Sequence, residues 1–294
     1  MSPDTTSTQD SAAQGQSDRE RAFALAGQLA SPVKLGHYDE LRDASGALRK
    51  PWQTFFSYLG EAGIASLPQS SETIERLIQQ NGITYNVYGD QQDQTRPWSL
   101  NALPMLITPA DWRGISSSLQ QRAKLLNTIL QDVYGEQRLI RGGYLPGALI
   151  LGNPGYLRAM QGVKPLGGIY LHVVAFDIAR GPDGRWWVIG QRTQTPSGLG
   201  YVLENRLTVS RVFPEAYREM RVQHVASSYK RLLESMTSAA AAIADGAPRF
   251  ALLTPGPYSE TYFEHAYLAR YLGLPLVEGA DLAVRDDKLY LKTM

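Results

Sequence analysis

At 294 residues, with 43% hydrophobic and 19% charged residues, the chain has the composition of an ordinary globular protein and the length for one large or two ordinary domains. A formal net charge of +1 argues against a nucleic-acid or acidic-lipid partner. Cysteine is absent, which excludes disulfide scaffolds, thiolate zinc sites and cysteine nucleophiles and fits a reducing compartment.

The first 19 residues are polar and carry no apolar core of the signal-peptide kind, so they are expected to be a disordered tail. No run of about 18 apolar residues follows, and the expected location is the cytoplasm, with no membrane partner. Apolar residues between Arg19 and Ala30 predict a short helix. A second helix begins after Pro51 and is expected to stop at Gly60 or Gly63. A third carries the stripe Ile74, Leu77 and Ile78, with Ser70 or Ser71 as its cap and Gly82 as its stop. ITYNVYGD then alternates as a strand and ends at Gly89 and Asp90. The segment from Thr108 to Leu139 predicts a long helix with an apolar stripe and acids in its first turn. From Gly167 the period changes, and two strands joined by Gly181, Pro182, Asp183 and Gly184 predict a hairpin. VASSYKRLLESMTSAAAAIADG is helical, RFALLTPGPYSETYFEHAYLARYLGLPLVEG reads as a βαβ unit, and a terminal hairpin turns at Asp286 and Asp287. The expected fold class is therefore α/β (α+β), divided into the tail 1–19, a helical and hairpin part 20–246, and a βαβ unit 247–294.

Three places have residues suited to chemistry. Asp177 lies on the first strand of the hairpin, opposite Gly190, Gln191 and Arg192; its carboxylate suits a hard cation or a local hydrogen bond. Glu204, Asn205 and Arg206 offer a carboxylate, an amide and a guanidinium, at a ligand site or a solvated strand end, and follow a glycine loop containing Ser197 and Gly198. That loop is either an anion cradle or a plain turn. In TPGPYSE, residues 254 to 260, a loop between strand and helix is placed for an anion or substrate, or else Gly256 and Pro257 make the turn and Ser259 caps the helix. His172, His224 and His265 lack metal-site spacing. No P-loop, nucleophile elbow, H-E-x-x-H or G-x-G-x-x-G fingerprint occurs.

The series YNVYGD (85–90), RPWSLNALP (96–104), QRAKLLN (121–127), PSGLGYVLENR (196–206), TPGPYSETYFEH (254–265) and LVEGADL (276–282) resembles the circularly permuted ATP-grasp family, type 2. Members are similar to glutathionylspermidine synthetase, and the long ones carry a helical alpha-E domain. The resemblance implies an incomplete permuted ATP-grasp fold ending in a pre-ATP-grasp-like βαβ unit. It also implies ATP and Mg²⁺ as cofactors, and an acyl phosphate formed on a small-molecule or peptide carboxylate and attacked by an amine. The metal role falls on Asp177, Glu204 and Asn205. Glu204 and Arg206 are marked as catalytic. Tyr88, Gly89, Asp90, Arg96, Ser197, Gly198, Thr254, Pro255, Gly256, Tyr258, Ser259 and Glu260 are marked for substrate or nucleotide. Relatives carry Glu-Asp-Asn where this chain has Gly190, Gln191 and Arg192, and their phosphate-holding lysines follow the position of Met294. The isolated chain is therefore expected not to turn over ATP, being either the portion of a ligase that works with a downstream half or an alpha-E domain, or a non-catalytic binding or scaffold protein.

Overall fold

A computed structural model of the chain describes residues 20–27, 36–86, 95–244, 246–286 and 288–292. The expected tail 1–19 and the strand end at Tyr88, Gly89 and Asp90 lie outside the described residues, as does the side chain of Arg96. The described residues fall into two compact units: one within 1–106, 197–234 and 247–294, the other within 107–196 and 235–246.

The first unit begins with helix α1 (residues 20–27), followed by α2 (Lys50–Ala65) and α3 (Leu67–Gln80). Pro51 sits in the first turn of α2, where a missing N–H leaves no bond unmade. Gly60 interrupts the helix with φ 66° and ψ 179°, yet helical backbone resumes and runs to Ala65. The expected stop is thus a kink, because Ile64 and Leu67 beyond it are buried against the ring cluster of Trp52, Phe55 and Phe56. Ser70 and Ser71 are not the cap of α3. The helix starts three residues earlier, with Pro68 in its first turn and Ser66 before it making no side-chain cap bond.

Strands β1 (Thr84–Asn86) and β2 (Thr95–Pro97) pair antiparallel, with Tyr85 opposite Arg96. Further along lie α7 (Leu199–Val212), α8 (Pro214–Glu219) and the first part of α9 (Ala226–Ala241). Strands β5 (Leu252–Leu253) and β6 (Leu276–Val277) pair in parallel across α10 (Tyr262–Leu272), and β7 (Leu282–Arg285) and β8 (Lys288–Leu291) form the terminal hairpin. Helix α7 touches all three of the unit's apolar clusters, with Val209 and Val212 against the ring cluster of α2. Tyr201 packs with Ile74, Ile78 and Ile83, while Leu203 packs with Tyr229 and Leu268. Glu204, Asn205 and Arg206 therefore lie within a helix rather than at a strand end.

The second unit holds α4 (Pro109–Val133), the short helices α5 (Arg138–Arg141) and α6 (Gly147–Leu151), and strands β3 (Ala175–Arg180) and β4 (Trp186–Arg192). Thr108 caps α4 reciprocally: its hydroxyl oxygen accepts from the Asp111 amide and its proton goes to the Asp111 carboxylate. The hairpin closes where the Gly184 amide donates to the Gly181 carbonyl, and a bulge follows Asp177. No helix among the described residues is long and apolar enough to cross a membrane.

Phe56 is 2% exposed and touches Trp52 and Phe55. Replacing it with alanine is expected to cost about 3–5 kcal/mol in denaturant unfolding. Val202→Ala, on the outer face of α7, should stay within about 0.5 kcal/mol of the parent.

Candidate functional site

The amides at the start of α7 cannot find partners within their own helix, so they need an acceptor from elsewhere. Glu264, in the first turn of α10, supplies it. Its Oε1 accepts from the Gly198 amide at 2.9 Å and the Gly200 amide at 3.1 Å, and its Oε2 accepts from Gly198 at 2.8 Å. At 3% exposure this carboxylate needs such donors to lie out of water, and the positive end of a helix suits its charge. A Cβ on Gly200 would stand 2.9 Å from Cγ and 3.2 Å from Cα of Glu264, so only glycine admits this approach. The loop read as an anion cradle does receive an anion, and the anion is the chain's own. Ser197 beside it is exposed.

One turn on, Glu204 is 4% exposed and accepts from the Asn81 amide at 2.6 Å. Tyr267 of α10 stands beside it, its phenol pushed above its usual range by burial and then by the neighbouring Glu204 carboxylate. Asn205 accepts from the Trp98 indole at 2.9 Å, and Trp98 stacks on Tyr201 with centroids 4.4 Å apart. Arg206 donates to the Gln223 carbonyl at 2.8 Å. Tyr201 donates to the Thr84 carbonyl and Tyr229 to that of Leu199, which fixes the first turn of α7.

The 254–260 loop leaves β5 towards α10. Thr254 is buried; its amide donates to Val277, and its hydroxyl oxygen accepts from the Gly256 amide and meets His265 Nδ1 at 2.9 Å. His265 Nε2 meets the Thr261 hydroxyl at 3.2 Å. Ser259 is not the residue before α10: Thr261 precedes the helix without a side-chain cap bond, and the Ser259 carbonyl accepts from the Tyr262 amide. Pro255 and Tyr258 face solvent, and Glu260 accepts from the Tyr85 hydroxyl at 3.0 Å.

Between α7 and α10, beside the end of α3, lies a cleft of about 550 Å³. Glu204 and Asn81 line it with Phe263 and Tyr267, and Arg211 and Arg270 reach it from the last turns of their helices. The sequence reading passed over Glu264, Tyr267, Arg211 and Arg270. For the last three the signal was helical spacing: 204, 207 and 211 on one helix and 263, 266, 267 and 270 on the other.

Asp177 lies in the second unit, so the three residues read as metal ligands are divided between units. It stands opposite Gly190, with its Oδ1 2.6 Å from Arg192 Nη2, and a Cβ on Gly190 would come 2.8 Å from its Oδ2. No group of three or more His, Cys, Asp or Glu side chains placed to hold a metal occurs among the described residues. A magnesium ion wants several hard oxygens, and here a guanidinium occupies the carboxylate, so this hairpin does not fit that ion. Arg180 in the same unit pairs with Asp111 at 2.9 Å and lies over the Trp186 ring. Burial pushes the Asp111 carboxyl up, but hydrogen bonds from Arg180, Thr108 and Trp186 outweigh it and hold the group below its usual range.

The sequence profile of the circularly permuted ATP-grasp type 2 family matches residues 104–294. An uncharacterized protein of Mycobacterium tuberculosis is 37% identical over 265 residues, covering 87% of this chain and 30% of its own length. A second from that organism is 34% identical over 274 residues, covering 93% and 48%, and one from Synechocystis is 35% identical over 266 residues, covering 90% and 55%. The chain belongs to the circularly permuted ATP-grasp type 2 family. It spans 30% to 55% of the length of these relatives.

Two measurements test the site. Gly200→Ala and Glu264→Ala should each lower stability by about 1–3 kcal/mol, through overpacking in one case and amides left without an acceptor in the other. Burial lowers the His265 pKa below 6.5, against the opposing charge of Glu264. The unfolded chain therefore binds the proton more readily, and stability present above about pH 6.5 is lost as pH falls through the folded value. Melting temperature should drop between pH 7.5 and 5.5, and His265→Asn should flatten that drop; equal slopes would count against the assignment.

Proposed function

We propose that the chain is part of an ATP-dependent carboxylate–amine ligase. In this reading a carboxylate oxygen attacks the γ-phosphorus of ATP and releases ADP. The amine nitrogen then attacks the acyl carbon of the resulting acyl phosphate, phosphate leaves, and the amine gives up a proton as the amide forms. No protein nucleophile is needed, since positioning and charge neutralisation carry such transfers.

The observation that carries the reading is convergence. The PSGLG loop with the adjoining Glu204–Arg206 segment, and the TPGPYSE loop, lie in separate parts of the sequence, yet both are fastened to the α7–α10 pair. Loop 254–260, with Tyr258 and Glu260 exposed at the carboxyl end of β5, is the proposed substrate edge, and 247–294 the proposed pre-ATP-grasp-like unit. Glu204 and Arg206, which the resemblance marks as catalytic, are assigned positioning roles through Asn81, Tyr267 and Gln223. ATP and Mg²⁺ are the cofactors typical of the family; no step is assigned to a metal at Asp177. The partners proposed are a small-molecule or peptide carboxylate, an amine, and the ligase half or alpha-E helical domain that long members carry.

The Asp177–Arg192 pair favours a second reading, a binding protein that has kept the fold and lost metal chemistry. An ADP-release assay separates them. The ligase reading expects release that needs this chain, the remaining length of its relatives, a carboxylate and an amine together; silence in every combination would leave the binding protein. Independently, Gly190→Glu with Arg192→Asn should gain Mn²⁺ binding by calorimetry that the parent hairpin lacks, and equal binding by the parent would contradict the fit argument.

A further inference from the structure

We propose that the cleft between α7 and α10 binds a dipolar molecule roughly 10 Å long, a short peptide with free ends or an amino acid of similar span, with its carboxylate at Arg211 and Arg270 and its amine towards Glu204. That this ligand is a co-substrate rests on the ligase reading; the binding itself does not.

The two helices run the same way past each other. Gly200 meets Glu264, Glu204 meets Tyr267, and further on Arg211 and Arg270 line one cleft. Each helix thereby brings one arginine to the same end. Both side chains are exposed, and no hydrogen bond or ion pair to a described residue engages either. Two guanidiniums facing one cavity match the two oxygens of a carboxylate in geometry and charge. At the other end stands Glu204, buried, with Asn81 as its donor and Tyr267 beside it. A carboxylate accepts about four hydrogen bonds in all, which leaves it lone pairs for an N–H from the cleft.

The separation of the two ends sets the ligand's length. Glu204 and Arg211 are seven positions apart on α7, which at 1.5 Å per residue is about 10 Å along the axis. An extended chain spans at most about 3.3–3.6 Å per residue, so three residues bridge that distance. The wall between is apolar and aromatic, from Leu207 and from Phe263 stacked on Tyr267 with centroids 5.6 Å apart. It suits the uncharged middle of such a molecule. A volume of about 550 Å³ falls in the range of about 300–1,000 Å³ usual for small-molecule sites.

Titration calorimetry with trialanine tests this in the absence of nucleotide. Arms with its C-terminal amide, its N-acetyl form, 8-aminooctanoate and inorganic phosphate separate the two ends and the two ligand sources. Trialanine or 8-aminooctanoate should bind, and amidation and Arg211→Gln/Arg270→Gln should each weaken trialanine binding by about tenfold or more, the low end for hydrogen bonds to a charged group. N-acetylation should weaken it too. Both arginines are exposed helix-end residues, and the melting temperature of the variant confirms that it folds. Equal affinity for the amide, binding of phosphate alone, no binding in any arm, or a double variant that binds as the parent does would each overturn the proposal. Binding without ADP release in the assay above would remove the ligase reading and leave this site standing.

Discussion

A carboxylate taken out of water must be surrounded by donors, and Glu264 finds them among the opening amides of α7, which have no partner within their own helix. The amides of Gly198 and Gly200 open helix α7, and Glu264 belongs to the first turn of α10, so their hydrogen bonds tie together two helices that are over sixty residues apart in sequence. The rest follows from that tie. It places Glu204 one turn further along against Tyr267 and Asn81, brings the two helix-end arginines to one cleft, and anchors the helix that carries His265 under the 254–260 loop.

The same tie gives the Gly198 and Gly200 amides to a side chain of the protein itself. Short Ser/Gly loops at helix starts are built to receive negative charge, and whether that charge is a ligand or a side chain depends on what packs nearby. Here α10 packs there. In the hairpin of the second unit Arg192 likewise supplies to Asp177 a positive charge from the chain itself.

Much of the architecture was legible in the sequence. Thr108, Pro109 and Asp111 announced the start of α4, and the Gly181–Gly184 turn announced the β3–β4 hairpin with Asp177 opposite Gly190, because capping and turn chemistry are local. Of the two expected stops Gly60 is a kink, and the helix runs on to Ala65, just past Gly63, because Ile64 and Leu67 are buried in the cluster. The site was legible only in part. Glu204 and Asn205 were recognised as chemically able, but their partners Asn81, Trp98 and Tyr267 come from other segments. Glu264 stood in plain view inside YFEHAY. Nothing local says that a first-turn acid of one helix will serve the first turn of another.

Native-state hydrogen exchange at the Gly198 and Gly200 amides tests the Glu264 tie most directly. Both should be protected in the parent chain well beyond the ordinary first-turn amides of an exposed helix, and both should lose that protection in Glu264→Ala while the α2–α3 core keeps its own. Rapid exchange of the two amides in the parent, or protection that survives removal of Glu264, would contradict the account.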